Sequence, residues 1–344
     1  MDVPVRDFFT VIKEISFDEL RADALLAPKL LIVASDDELA ERCRDMLFGR
    51  QSEPYVTLYV PGSQTSASPD PLRFDCIVSV GPLDPTDNMQ WRDLFHRAGE
   101  PVRIVEVSPG QLYPGSDLTS KREQIADVAD ERSLAIGRYI DLMREPCASH
   151  AISETSMANA QFALISNIPT LVPVVGNLVA VGADFVVLTK NQLMLLYKLA
   201  AIFGRDMDNR WQIYTEMMPV VGGGLMWRTV ARELSDLLPF AMGTVPKVAI
   251  AYAGTYSTGQ AARFYYEHGT KIDRKQMQAL YKEALALMKR TPLQLPWSSR
   301  DEDADDISGD DTIHVRITEH PSAAGDPSEE DSDNEEPRTG STGD

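Results

Sequence analysis

The residues best placed to do chemistry are three consecutive acids, Asp36, Asp37 and Glu38, which follow the apolar run Leu30 to Ala34. A turn from a buried strand into a helix is where an α/β domain holds phosphate, because the first N–H groups of the helix point at the anion. That chemistry needs glycines for close backbone approach, a lysine for charge and a hydroxyl for magnesium. Here the turn reads Ala34-Ser35-Asp36-Asp37-Glu38, with no glycine and no lysine, and its carboxylates repel phosphate. No Asn-Lys-x-Asp stands after Val102 to Val107, where the chain continues SPGQL. Paired acids after a first strand also suit the magnesium site of a receiver-type phospho-acceptor. Such a site needs an aspartate ending the third strand and a lysine after the last. The third apolar run ends VSVG, and no lysine follows VRIVEVSP. The plainer reading is that the acids favour a helix N-terminus.

Other reactive groups are scattered. His96, His150, His268, His314 and His320 show no metal-ligand spacing with one another, with cysteine or with a helical carboxylate. Cys43, Cys76 and Cys147 form no CxxC pair, which predicts reduced thiols without a disulfide framework or zinc site. The chain has no GxSxG elbow and no HExxH. The expectation is therefore a protein without catalytic residues, cofactor or metal.

The elements that would position these residues are legible. Phe8, Phe9, Ile12 and Ile15 recur at helical spacing and predict an amphipathic helix over 4–15. A second helix follows from Phe17 to Leu26, with Ser16 or Asp18 as its cap. Leu30 to Ala34, Tyr55 to Val60, Phe74 to Val80 and Val102 to Val107 read as strands. Helices are predicted over Asp36 to Phe48, Met89 to Arg97 and Lys121 to Met143. Strands alternating with helices give βαβ units and a mainly parallel sheet. Glu145 to Ser156 (EPCASHAISETS) is polar and turn-prone, and is expected to be a linker, with Ser153 or Ser156 capping the next helix.

Beyond it the chain becomes apolar. Gln161 to Ala183 holds 23 residues without a charge, long enough for a span of ~20 residues. Pro169, Pro173, Gly176 and two asparagines interrupt it, and a loose echo of Pro173-Val-Val-Gly returns at Pro219, Val220, Val221, Gly222, Gly223 and Gly224. These prolines and glycines are the expected turns of kinked or re-entrant membrane helices, or of close contacts in a soluble helical core. The sequence favours the membrane, with the soluble core as the alternative. In lipid, Lys247 would need a partner, and Asp184 is the candidate. Residues 274–290 predict an amphipathic helix with a basic end.

The net charge is −19, but residues 301–344 hold 16 Asp or Glu against Arg316 and Arg338. That tail carries −14 and leaves −5 for the body, so no basic field attracts nucleic acid. The tail composition predicts disorder, apart from an alternating island, Thr312 to Thr318. The N-terminus MDVPVRDFFTVIKEI lacks a basic stretch followed by an apolar one, so no secretory signal is expected.

The stretches NIPTLVPVVGNLVAVGADFVVLTKNQLMLLYKLAAIFGRD and LPFAMGTVPKVAIAYAGTYSTGQAARFYYEHG resemble the bacterial domain-of-unknown-function 697 family, the YcjF-like, GTPase-associated family. The carrying residues are the Pro-Val-Val-Gly turn at 173–176, Asn191-Gln192, Ala200 to Gly204, and Gly254-Thr255-Tyr256 through Gly259, within about residues 155–270. Relatives often carry a GTPase domain ahead of this region, and many are described as membrane proteins. Residues 11–48 resemble the entry to such a domain, with the phosphate loop replaced by ASDDELAE. No catalytic residue of the family carries over. The resemblance implies lead-in helices over 1–27, a degenerate P-loop or GTPase-like α/β unit over 28–144, a linker over 145–156, an apolar helical domain over 157–292 and an acidic tail over 297–344. The implied function is that of a non-catalytic, membrane-associated scaffold or regulator on the cytoplasmic side of the inner membrane, working with a protein partner such as a GTPase or membrane complex. The alternatives are a soluble cytoplasmic interaction module and a degenerate receiver-like signalling protein.

Overall fold

The computed structural model describes residues 17–62, 68–81, 85–165, 180–209, 211–213, 215–216 and 244–290. The fold is mixed α/β, a small parallel four-stranded sheet with many helices. Strands β1 (Leu30–Val33), β2 (Val56–Tyr59), β3 (Cys76–Val80) and β4 (Ile104–Val107) lie in the order β2-β1-β3-β4. All three ladders are parallel, and Ile32 stands between Leu58 and Val78. Strands β1 and β3 are buried along their whole length, which is why they read as near-continuous apolar runs, broken only by Ser79 in β3.

Alternation along β1 divides the core. Leu31 and Val33 pack with Ile77, Trp91 and Phe95 on one face, under helix α3 (Pro85–Ala98), the third helix in chain order. Leu30 and Ile32 point to the other face, with Ala40, Cys43 and Leu47 of α2 (Asp37–Leu47) and Ile125 of α4 (Thr119–Val128). The first helix, α1 (Asp18–Leu25), lies before β1 and fully buries only Ala24 of its own residues. Phe17, just ahead of it, is buried with its ring centroid 4.6 Å from that of Tyr197.

The second face continues without a break into α5 (Ser133–Tyr139), α6 (Arg144–Ile165), α7 (Ala180–Ile202) and α8 (Thr244–His268), whose Ala148, Ile152, Leu195, Leu199 and Ala262 share one cluster with the sheet. A second cluster joins Ala160 and Ala163 of α6 to Tyr252 of α8 and Tyr281 of α9 (Arg274–Arg290). Helix α9 coincides with the amphipathic stretch read at 274–290.

Three local expectations are corrected. Glu145 to Ser156, expected to be a linker, is helical throughout as part of α6. Its small polar residues pack instead of turning: Ser156 is fully buried and its hydroxyl donates back to Ile152 O at 2.6 Å, so neither it nor Ser153 is a cap. The expected single helix from Lys121 to Met143 is broken by short 3₁₀ turns at Asp130–Arg132 and Asp141–Met143. The break swings α5 inward until Gly137 lies against α7, where a Cβ would stand 2.9 Å from Ile202 Cγ2. Helix α1 is preceded by Phe17 and has no side-chain cap, so Asp18 is a first-turn acid only.

Arginines close several helix ends. Arg122 donates to Met46 O and Leu47 O at the end of α2, at 2.8 and 2.9 Å. Arg132 donates to Asp23 O and Leu26 O at the end of α1 and pairs with Asp75 at 3.2 Å. Arg138 donates to Ala201 O and Arg205 O at the end of α7, where Gly204 turns the chain at φ +74°.

Candidate functional site

In an open parallel sheet the ligand crevice lies at the carboxyl ends of the strands, where the strand order reverses. Here that point is between β1 and β3, and the flanking turns are Ala34-Ser35-Asp36 and Gly81. Ala34 N donates to Tyr59 O at 3.1 Å and Gly81 N to Val107 O at 2.7 Å, so the ladder holds both turns beyond the last paired residues. Ser79, where a receiver domain would carry an acid nearby, is buried and its hydroxyl donates to Gly81 O at 2.7 Å.

The N-terminus of α2 faces this crevice and is closed by the chain itself. Asp36 is extended, with φ −153° and ψ 163°, and its Oδ1 accepts the Leu39 N–H at 2.8 Å. The Ser35 hydroxyl donates to Asp36 Oδ2 at 2.9 Å. The Leu39 N–H bond and then the Ser35 hydroxyl hold the Asp36 carboxyl below its usual range. A carboxylate therefore occupies the position where a phosphate-binding turn offers N–H groups. Asp37 and Glu38 add negative charge in the first turn.

The helical part carries a buried polar relay that motif reading did not single out as a site. Asn191 of α7 donates to Asn159 Oδ1 of α6 at 2.7 Å. Asn159 donates to Thr255 Oγ1 of α8 at 2.8 Å, and Thr255 donates to Ala251 O at 2.9 Å. Asn159 and Thr255 are fully buried. The relay runs in one sense through three helices and ends on backbone, so each member polarises the next. Asn191 and Thr255 are among the residues that carry the family resemblance; Asn159 had no signal beyond being a polar residue in a small-residue helix.

Of the histidines, His150 sits between two acids, with Nε2 2.7 Å from Asp130 and Nδ1 3.5 Å from Asp127. His268 caps its own helix through Phe264 O at 3.1 Å, and His96 is exposed on α3. His314 and His320 lie outside the described residues. A cleft of about 380 Å³ beside α1 is lined by Asp23, Asp130, Arg132, Glu154 and Lys198. Both of its cations are engaged: Lys198 pairs with Glu154 at 2.8 Å, and Arg132 is spent on the α1 carbonyls and Asp75. Burial pushes the thiols of Cys43 and Cys76 up to about 12, and Cys147 higher still. Among the described residues no cluster of three His, Cys, Asp or Glu has the arrangement of a metal site.

Pro169, Pro173, Gly176, Pro219, Gly222, Gly223 and Gly224 all fall outside the described residues. Asp184 and Lys247 fall on α7 and α8, but their side chains are outside the described set, so the expected pair is not placed. Among the described residues no helix is long and apolar enough to cross a membrane. No family model, curated protein or solved structure matches the chain.

Proposed function

We propose that this chain is a non-catalytic scaffold or regulator. In this reading a GTPase-like α/β unit, its phosphate loop replaced, is joined to a helical unit and works on a protein partner such as a GTPase. The observation that carries it is the Asp36 carboxylate on the Leu39 N–H. That bond consumes a donor a nucleotide phosphate would use and puts like charge in its place. The order β2-β1-β3-β4 supports descent from a doubly wound nucleotide-binding architecture. Titration with GTP and magnesium tests the reading: no saturable binding is expected, and micromolar affinity would refute it.

The site of action proposed from the apolar run Gln161 to Ala183 is the cytoplasmic face of the inner membrane. A second reading, a soluble interaction module, is favoured by the Asn191–Asn159–Thr255 relay and by the continuity of α6, α7 and α8 with the core of the sheet. Fractionating a lysate with an alkaline carbonate wash separates the two. Retention in the washed pellet supports the membrane reading, and recovery in the soluble fraction supports the module.

A further inference from the structure

The ion pairs around the cleft of about 380 Å³ beside α1 leave it unbalanced. Its two cations, Lys198 and Arg132, are committed to Glu154 and to Asp75 with the α1 carbonyls. Its acids are not. Among the described residues the Asp23 carboxylate has no hydrogen bond or ion pair. Glu131 lies 3.6 Å from Arg103, whose guanidinium is closer to Glu100. Asp130 is held by His150, which is charged only if protonated. A second observation points into the same space. Ser133 lines the cleft and is 4 % exposed, and among the described residues its hydroxyl has no hydrogen-bond partner. Buried hydroxyls ordinarily have one. Among the described residues the unpartnered hydroxyls sealed from solvent are those of Ser116 and Tyr266, so the Ser133 oxygen stays open to the cleft.

We propose that this cleft binds a primary ammonium group on an aliphatic chain. The ammonium meets Asp23, Glu131 and the Ser133 hydroxyl, and the chain lies against Leu20 and Leu134. An ammonium carries three donors and no acceptor, which suits a lining whose open groups accept. A bare metal ion does not suit it, since no three His, Cys, Asp or Glu among the described residues are arranged to hold one. The volume is also far larger than one ion fills. Asp23, Asp130 and Glu131 are exposed, so each pair contributes little and the dissociation constant is on the order of 1 mM. Helices α1, α5, α6 and α7 all border the cleft, so an occupant ties the helix ahead of β1 to the helical part. Free amines and the lysine side chain of a protein partner share this chemistry.

The test is titration of the full chain with n-butylammonium chloride at constant ionic strength, followed by amide chemical shifts. Saturating shifts are expected at Asp23 and from Asp130 to Leu134. Ser133→Ala is expected to weaken binding about tenfold, through loss of a hydrogen bond to a charged group. Asp23→Asn should weaken it about threefold. Glu19→Gln removes the same charge from α1 outside the cleft and should leave binding unchanged. Shifts that rise without saturating, equal shifts with n-butanol, or unaltered binding by Ser133→Ala would overturn the proposal. So would a loss in Glu19→Gln as large as in Asp23→Asn, which would mean attraction to the acidic surface at large. The amide spectrum of each variant shows that it is folded. Nα-acetyl-lysine methylamide separates the sources. Equal or tighter binding than n-butylammonium supports the site with a partner's lysine as its occupant, and weaker binding supports it with a free amine.

Discussion

Gly259 of α8 lies so close to α6 that a Cβ there would stand 2.7 Å from Ile152 Cγ1 and 3.1 Å from Leu195 Cδ2 of α7. Three helices meet at this point, and only a glycine lets them. Gly259→Ala is therefore expected to destabilise by about 1–3 kcal/mol through overpacking. Gly254, five residues earlier, has no described atom within 4 Å of its built Cβ. Gly254→Ala is expected to be neutral or to stabilise by up to about 1 kcal/mol, as for any helical glycine with room. The urea midpoint should fall for Gly259→Ala and hold or rise for Gly254→Ala.

The polar relay makes a second contrast. Thr255→Val keeps the side-chain shape but removes the oxygen that accepts from Asn159 at 2.8 Å. A buried amide N–H is then left without its partner, at a cost of about 1–3 kcal/mol. Thr255→Ser retains the oxygen and should cost clearly less. Chemical denaturation of both variants checks the order.

Arg122 is expected to matter more than an exposed arginine, because it satisfies two carbonyls at the end of α2. Arg122→Met retains the stem and loses both bonds, for an expected loss of about 1.5–3 kcal/mol. Arg122→Lys should recover only part of it, since an ammonium cannot reproduce the planar fork. Thermal melts of the two variants measure the difference.

Asp36 gives the acid dependence a sign. Its carboxyl is held below the usual value in the folded chain, so its contribution is full above the unfolded value of ~3.9 and is lost as pH falls through the lower folded value. Asp36→Asn keeps a capping oxygen but has no charge to lose. Melting temperatures taken from about pH 7 to about pH 3 should show the wild type falling more steeply at the acid end than the variant. Parallel curves would mean that the charge of the Asp36 carboxylate contributes nothing to stability.

The three cysteines are buried and their thiols raised, so none is expected to react with a thiol reagent in the native protein. All three should label after unfolding. Fast native labelling at any one of them would show that its helix or strand opens.

Strands were the most legible part of the fold. LLIV and CIVSV are buried on both faces, and a strand buried on both faces leaves no charged residue to obscure the run. Helix α2 was legible from its acids and from Gly49, which leaves the helix at φ +81°. Helix α6 was not. Its Cys147, Ala148, Ala151, Thr155 and Ser156 are buried, so these small and polar residues of the stretch that suggested a turn are packing residues. The breaks within 121–143 were hidden for a related reason. They depend on Gly137 meeting Ile202 and on Asp130 meeting His150, contacts distant in sequence. The acidic start of α2 was legible at Asp36, whereas the relay needed three helices to be placed together before its members could be seen as one group.

Calorimetric titration of the full chain with GTP and magnesium tests the central claim most directly. With the Asp36 carboxylate seated on the α2 N-terminus, no saturable heat is expected up to about 1 mM nucleotide. A micromolar dissociation constant would mean that the crevice accepts phosphate despite its acids, and the chain would have to be read as a nucleotide-binding protein.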